Sequence, residues 1–183
     1  MNRIGIFFGT DTGTTRLIAK KIAKRLGGLA DKPLNVNRIG VEDLLKYDFL
    51  ILGTPTYGHE QLPGKETNIA NGSWDEFVPQ LEQADLSGKV VALYGLGNQE
   101  KYSERFCDSL YYLYEIINRR GATIIGSCST EGYTFDASRA EVEGRFVGLV
   151  LDNNSQAIKT EERIDSWLEL IRPQMTEEIK ATA

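Results

Sequence analysis

Short apolar runs, each closed by glycine or turn residues, alternate along this chain with segments whose apolar residues recur three and four apart. This alternation constrains the fold more than any other feature. The first run, Ile4-Gly5-Ile6-Phe7-Phe8, stops at Gly9, and Leu17, Ile18, Ile22, Ala23 and Leu26 then follow at helical spacing. The pattern predicts strands over residues 4–8, 34–38, 49–53, 89–96 and 123–128, and helices over 14–26, 41–47, 74–83 and 103–120. Strands that are apolar on both faces and alternate with helices imply a parallel sheet covered on both sides. Right-handed crossovers then favour a doubly wound α/β fold, five strands in the order 2-1-3-4-5 with helices on both faces.

The C-terminal part departs from that minimal plan. A polar, aromatic-dotted stretch, residues 129–145, separates Cys128 from the apolar run Phe146-Val147-Gly148-Leu149-Val150-Leu151. The last strand is therefore expected to be interrupted by an insertion, packed down by Tyr133 and Phe135 and standing apart from any site in the switch-point loops. A final helix over about residues 159–178 places Ile164, Trp167, Leu168 and Ile171 on one face, with Pro173 expected to end or kink it. The 183 residues, 41% of them hydrophobic, suit one core, so residues 1–183 are expected to form a single domain.

Charge narrows the partners. With 21 Lys and Arg against 26 Asp and Glu the net charge is -5, which on average repels a nucleic-acid backbone or an anionic membrane and leaves protein surfaces as the expected partners. No stretch approaches the roughly 18 apolar residues of a membrane span, and the N-terminal run is too short for a secretory leader, so a cytoplasmic location is expected. The two cysteines, Cys107 in a helical pattern and Cys128 ending a strand pattern, lack metal or dithiol spacing and are expected to be plain thiols.

In such a sheet ligands bind beyond the carboxyl ends of the strands, where the strand order reverses. The loops after strands one, three and four should converge there. The first, Gly9-Thr10-Asp11-Thr12-Gly13-Thr14-Thr15, offers successive backbone N–H groups at a helix start and four Thr hydroxyls, a cradle for a phosphate. Gly13 is followed by Thr14, so the Gly-Lys-[Ser/Thr] of a triphosphate loop is missing; a loop without Lys or Arg suits one terminal monophosphate. The second, Thr54-Pro55-Thr56-Tyr57-Gly58-His59, presents a flat ring followed by a permissive peptide, and the third, Leu96-Gly97-Asn98-Gln99-Glu100-Lys101-Tyr102, presents another. Two aromatic faces across a crevice could sandwich a planar heterocycle.

These three loops together resemble the phosphate loop and the two isoalloxazine loops of flavodoxins, and residues 126–148 are similar to the insertion of the long-chain branch. Asn35-Val36-Asn37-Arg38 and the stretch near Ser73-Trp74 resemble the flavodoxins of nitrogen fixation. The resemblance covers essentially the whole chain. It implies a flavodoxin-like fold, non-covalent flavin mononucleotide (FMN) and low-potential one-electron transport between a reductase and an acceptor enzyme such as nitrogenase, by a monomer that meets its redox partners transiently.

Residue by residue, the resemblance assigns the phosphate to Thr10, Asp11, Thr12, Gly13, Thr14 and Thr15. It assigns one flavin face to Tyr57, within Thr54, Pro55 and Thr56, and the other to Tyr102. Gly58, His59, Leu96, Gly97, Asn98 and Gln99 would meet the ring's polar edge, and Asn154 the ribityl chain. The chain departs from the family pattern at Asn98, commonly Asp, at Tyr57, often Trp, and at Arg105, usually neutral or acidic. An acidic rim through Glu60, Glu66, Asp75, Glu76 and Glu100 is expected to steer a basic partner.

No general acid, base or nucleophile is assigned and no metal is expected, which makes the chain a carrier without substrate turnover of its own. The competing class is a flavin-dependent quinone or NAD(P)H oxidoreductase on the same fold. A phosphorelay receiver shares the topology but needs an acceptor Asp where Thr54 stands, and an interaction module without flavin is the third class.

Overall fold

The computed structural model describes residues 3–10 and 12–181, the last six of these by backbone only. The parallel sheet is built from β1 (Ile4–Phe8), β2 (Leu34–Asn35), β3 (Phe49–Thr54), β4 (Val90–Leu96) and β5 (Thr123–Ile125) in the order β2-β1-β3-β4-β5. Intervening helices are α1 (Thr14–Leu26), α2 (Val41–Leu45), α3 (Trp74–Leu81) and α4 (Ser109–Arg119). All these strand pairings are parallel, as the apolar, helix-separated runs require.

The last strand is indeed interrupted. β5 pairs with the first half of β4, Val90 to Ala92; the chain then leaves to form a small antiparallel sheet of β6 (Cys128–Ser129), β7 (Glu141–Val142) and β8 (Arg145–Phe146). It returns as β9 (Leu149–Leu151), which pairs in parallel with the second half of β4, Tyr94 to Leu96. The period of two along each strand splits the core. Leu50, Leu52, Val91 and Leu93 face α3 and α4 with Trp74, Phe77, Leu110 and Leu113, while Ile6, Ile51, Ala92 and Tyr94 face Ile18 and Ile22 of α1 and Ile164 and Trp167 of α5 (Thr160–Ala181).

Some boundaries differ from the sequence expectation for a local reason. Strand two is only Leu34–Asn35, because the Asn35 side chain accepts from the Asn37 amide at 3.1 Å and turns residues 36–38 into a 3-10 turn. The helix expected from residue 103 starts at Ser109. Residues 103–105 form a separate 3-10 turn and Cys107 adopts a left-handed φ of 59°, so this thiol precedes the helix. Cys128 belongs to the insertion's sheet, not to the central one. Pro173 does not end α5, since Ile171 and Met175 on either side of it are buried and the packed face carries the helix through.

Candidate functional site

A cavity of about 340 Å³ opens beyond the carboxyl ends of β1, β3 and β4, at the reversal of strand order. Its walls include Thr10, Thr12, Thr14, Thr15, Pro55, Thr56, Tyr57, Leu96, Gly97, Asn98, Tyr102 and Asn154, so the three loops singled out in the sequence do converge. Lys101 and Arg105 also line it, as do Cys107 and Asn153, which no sequence motif had marked.

At one end lies the start of α1. Gly13 caps it in the left-handed region at φ 96°, with its own amide bonded to Thr10 Oγ1 at 3.0 Å. Among the described residues no side chain caps the helix, and no acidic residue occupies its first turn, so the first amides of α1 are available to a ligand. The loop rests on Trp74, whose Nε1 donates to Gly53 O at 2.8 Å beside the Gly9 amide, which donates to the same oxygen at 3.0 Å. Asp11 lies outside the described residues.

At the other end Tyr57 and Tyr102 both line the cavity. The Tyr102 amide donates to Asn98 O at 2.9 Å and the Lys101 amide to Asn98 Oδ1 at 3.0 Å, so Asn98 shapes the turn that presents the tyrosine. Cations cover the Tyr102 ring: Lys101 Nζ is 5.2 Å and the Arg105 guanidinium 5.1 Å from its centroid. Thr56 Oγ1 is buried in the cavity wall, and among the described residues only the Cys107 thiol is close enough to interact with it. Cys107 is buried as well, and burial pushes its thiol up to about 12, with the nearby Thr56 hydroxyl acting in the opposite direction.

Four other expected residues sit behind or beside the cavity. Thr54 is buried and donates to Pro55 O at 2.8 Å; Gly58 and His59 lie at the mouth, where His59 meets Arg105. Gln99 points inward: its amide donates to Asp152 Oδ2 at 3.0 Å, its Nε2 to Ser155 Oγ at 3.2 Å, and its Oε1 accepts from the Thr134 amide at 2.7 Å.

Asp152, fully buried, is the structural residue that sequence reasoning missed. It also accepts from the amides of Asn154 and Ser155 at 3.0 and 2.9 Å and from Ser155 Oγ. Burial opposes its charge, but the bonds from Ser155, Gln99 and Asn154 outweigh that and hold the carboxyl below the usual aspartate range. The third loop and the loop after β9 are thus tied together through one carboxylate.

All five acids of the expected rim are exposed, but two of them, Glu60 and Glu76, are engaged within the protein. Glu76 accepts from the amides of Lys65 and Ser73 at 2.8 and 2.7 Å, Glu60 pairs with Arg139, and neither lines the cavity, nor do Glu66, Asp75 or Glu100. The insertion contributes no cavity wall, as expected, yet it does not stand apart: Asp136 and Ala137 amides donate to Ser103 O, and the Phe106 amide donates to Ala137 O. Among the described residues no group of His, Cys, Asp and Glu could hold a metal, and no helix is long and apolar enough to cross a membrane.

The comparisons with known proteins agree with this geometry. A family model described as Flavodoxin matches residues 6–167. A flavodoxin of Klebsiella pneumoniae is 52% identical over 172 residues, 94% of this chain and 98% of its own, and Flavodoxin 1 of Escherichia coli (strain K12) is 43% identical over 172 residues, 93% of each. The crystal structure of Fusobacterium nucleatum flavodoxin bound to flavin mononucleotide matches with a TM-score of 0.85 at 37% identity, covering 95% of this chain and 99% of that one. By its fold, the convergence of its three loops and these likenesses, the chain belongs to the flavodoxin family.

Proposed function

We propose that this chain holds FMN non-covalently in the cavity and shuttles single electrons between a reductase and an acceptor enzyme. One observation carries the reading: a single cavity joins an uncapped helix start, rich in hydroxyls, to a pair of tyrosines. The residues fit FMN. The hydroxyls and free amides at the start of α1 hold a terminal phosphate, with the Arg16 guanidinium beside Gly13 at the same end. Tyr57 and Tyr102 flank the ring, and the buried Thr56 hydroxyl and the Gly58-His59 and Gly97-Asn98 peptides offer bonds to its polar edge. Gln99 acts from behind the wall and Asn154 faces the ribityl chain.

FMN, when bound, supplies a ring that takes up and returns electrons one at a time. The protein's own work is to bind that ring, to keep water from its faces and to leave one edge open to a partner. Cys107, the one thiol in the cavity wall, is held protonated at neutral pH by burial, which removes it as a nucleophile. The partners are redox proteins that bind transiently to a cytoplasmic monomer. Nitrogenase is the acceptor to test first, on the resemblance of residues 35–38 and of Ser73-Trp74.

The test is to titrate the ligand-free protein with FMN and with riboflavin, then to offer the loaded protein NADPH alone or NADPH with a reductase protein. FMN is expected to bind at least tenfold more tightly than riboflavin, because the cradle's charge-assisted bonds contribute about 1.5–3 kcal/mol each before water competes. Reduction is expected only with the reductase. Equal affinities would remove the phosphate site, and bleaching by NADPH alone would make the chain an enzyme.

A further inference from the structure

Two residues of the loop after β3 hold left-handed backbone, Gly58 at φ 71° and Glu60 at φ 53°, and the second is not glycine. Such backbone persists where its surroundings over-determine it. Side chains from two other segments grip this loop. Arg139 of the insertion pairs with Glu60 at 2.5 Å, in a cleft that His59 and Arg105 also line. Arg105 Nη1 packs against the His59 imidazole, 2.7 Å from Nδ1 and 2.8 Å from Nε2.

Arg105 is anchored on the opposite loop. Its amide donates to Tyr102 O at 3.2 Å, and its guanidinium lies over the Tyr102 ring. It forms no ion pair within 4 Å among the described residues, and Asp108 interacts with it only at longer range. The same side chain lines both the cavity and the adjoining cleft that contains His59. It therefore spans the mouth from one aromatic loop to the other.

We propose that Arg105 is a positioning residue, a latch that holds the His59 loop against the Tyr102 loop and so limits the rate at which the cofactor leaves. The latch itself is visible without any ligand; its effect on release rests on the FMN reading above. A planar guanidinium suits the role because it lies over the tyrosine while one of its nitrogens reaches the histidine ring, which a compact ammonium cannot do.

The experiment compares Arg105→Gln, His59→Ala and the double variant with the wild type. In ligand-free protein, ¹⁵N relaxation of the amides of residues 58–61 reports the latch directly, while the rest of the sheet serves as the internal control for folding. In loaded protein, FMN release is timed with an excess of a second apoflavoprotein as trap. Arg105→Gln is expected to raise the mobility of residues 58–61 alone and to speed release about tenfold, and the double variant to release no faster than the faster single variant, as two ends of one contact should. Unchanged relaxation in Arg105→Gln, or two substitutions whose effects on release multiply, would overturn the latch. A wild type that takes up no FMN would overturn the cofactor reading instead, and the relaxation result would still decide the latch.

Discussion

Asp152→Asn tests how the cavity's walls are held. The carboxylate receives two amides on Oδ1, from Asn154 and Ser155, and the Gln99 amide and Ser155 hydroxyl on Oδ2. An asparagine keeps Oδ1 as an acceptor and places an NH2 where Oδ2 was. The Ser155 hydroxyl can turn and accept from it, but the Gln99 amide then faces a donor. One bond to a charged acceptor is lost, about 1.5–3 kcal/mol, and one buried donor is left unmet, about 1–3 kcal/mol. The two costs overlap, so a net loss of about 2–4 kcal/mol is expected. With a urea slope of about 2 kcal/mol/M, the midpoint of the ligand-free protein should fall by about 1–2 M. FMN affinity should fall as well, because Gln99 and Asn154 belong to walls that Asp152 joins. The same bonds set the pH response: the folded-state pKa lies below the ordinary 3.8, so their contribution is complete at neutral pH and is lost as the pH falls through that lowered value. A midpoint within 0.3 M of wild type, roughly the scatter of extrapolated stabilities, would refute the assignment of Asp152 as the tie between the loops.

Gly58→Val should lower stability by about 1–2 kcal/mol from the left-handed backbone alone, and an added Cβ would also stand 2.8 Å from Thr67 Cγ2. A melting point lowered by about 2–8 °C in the ligand-free protein is expected, and an unshifted one would show that the loop readily adopts another conformation. Replacing residues 129–145 by a short Gly-containing turn should weaken FMN about tenfold or more although none of them lines the cavity, since it removes the Thr134 amide from Gln99 and the Ala137 carbonyl from Phe106. Wild-type affinity in a fluorescence titration of that variant would show that the third loop holds its shape unaided.

The sequence was most legible where local chemistry and strand periodicity agree. Residues 4–8 followed by Gly9 and the Thr-rich loop announce strand, cradle and helix without help from the rest of the chain, and the cavity confirms the convergence of that loop with Tyr57 and Tyr102. Residues 103–120 were less legible, because their apolar spacing continues through a 3-10 turn and the left-handed Cys107, and only the contacts of Phe106 and Asp108 with residues 137–139 explain the delay of the helix to Ser109. Arg105 read as a departure in charge, yet its contact with His59 joins residues 46 apart and has no local signature. Asp152 left no signal at all: in Leu151-Asp152-Asn153-Asn154-Ser155 it reads as an ordinary turn residue.

Asp152 became a wall tie through the interruption of the fifth strand. Register along β4 fixes Leu151 opposite Leu96, so the residue after β9 must emerge beside the residues after β4. The Gly97 amide accordingly donates to Leu151 O at 3.0 Å, and two residues further on Gln99 finds Asp152. An uninterrupted strand could supply that register, but not the second partner of Gln99. Its Oε1 is met by the amide of Thr134, which lies in the detour between β5 and β9. The insertion therefore belongs to the site's support even though it stays out of its lining. The side chain that links the two, Gln99, is buried because a donor and an acceptor both await it there.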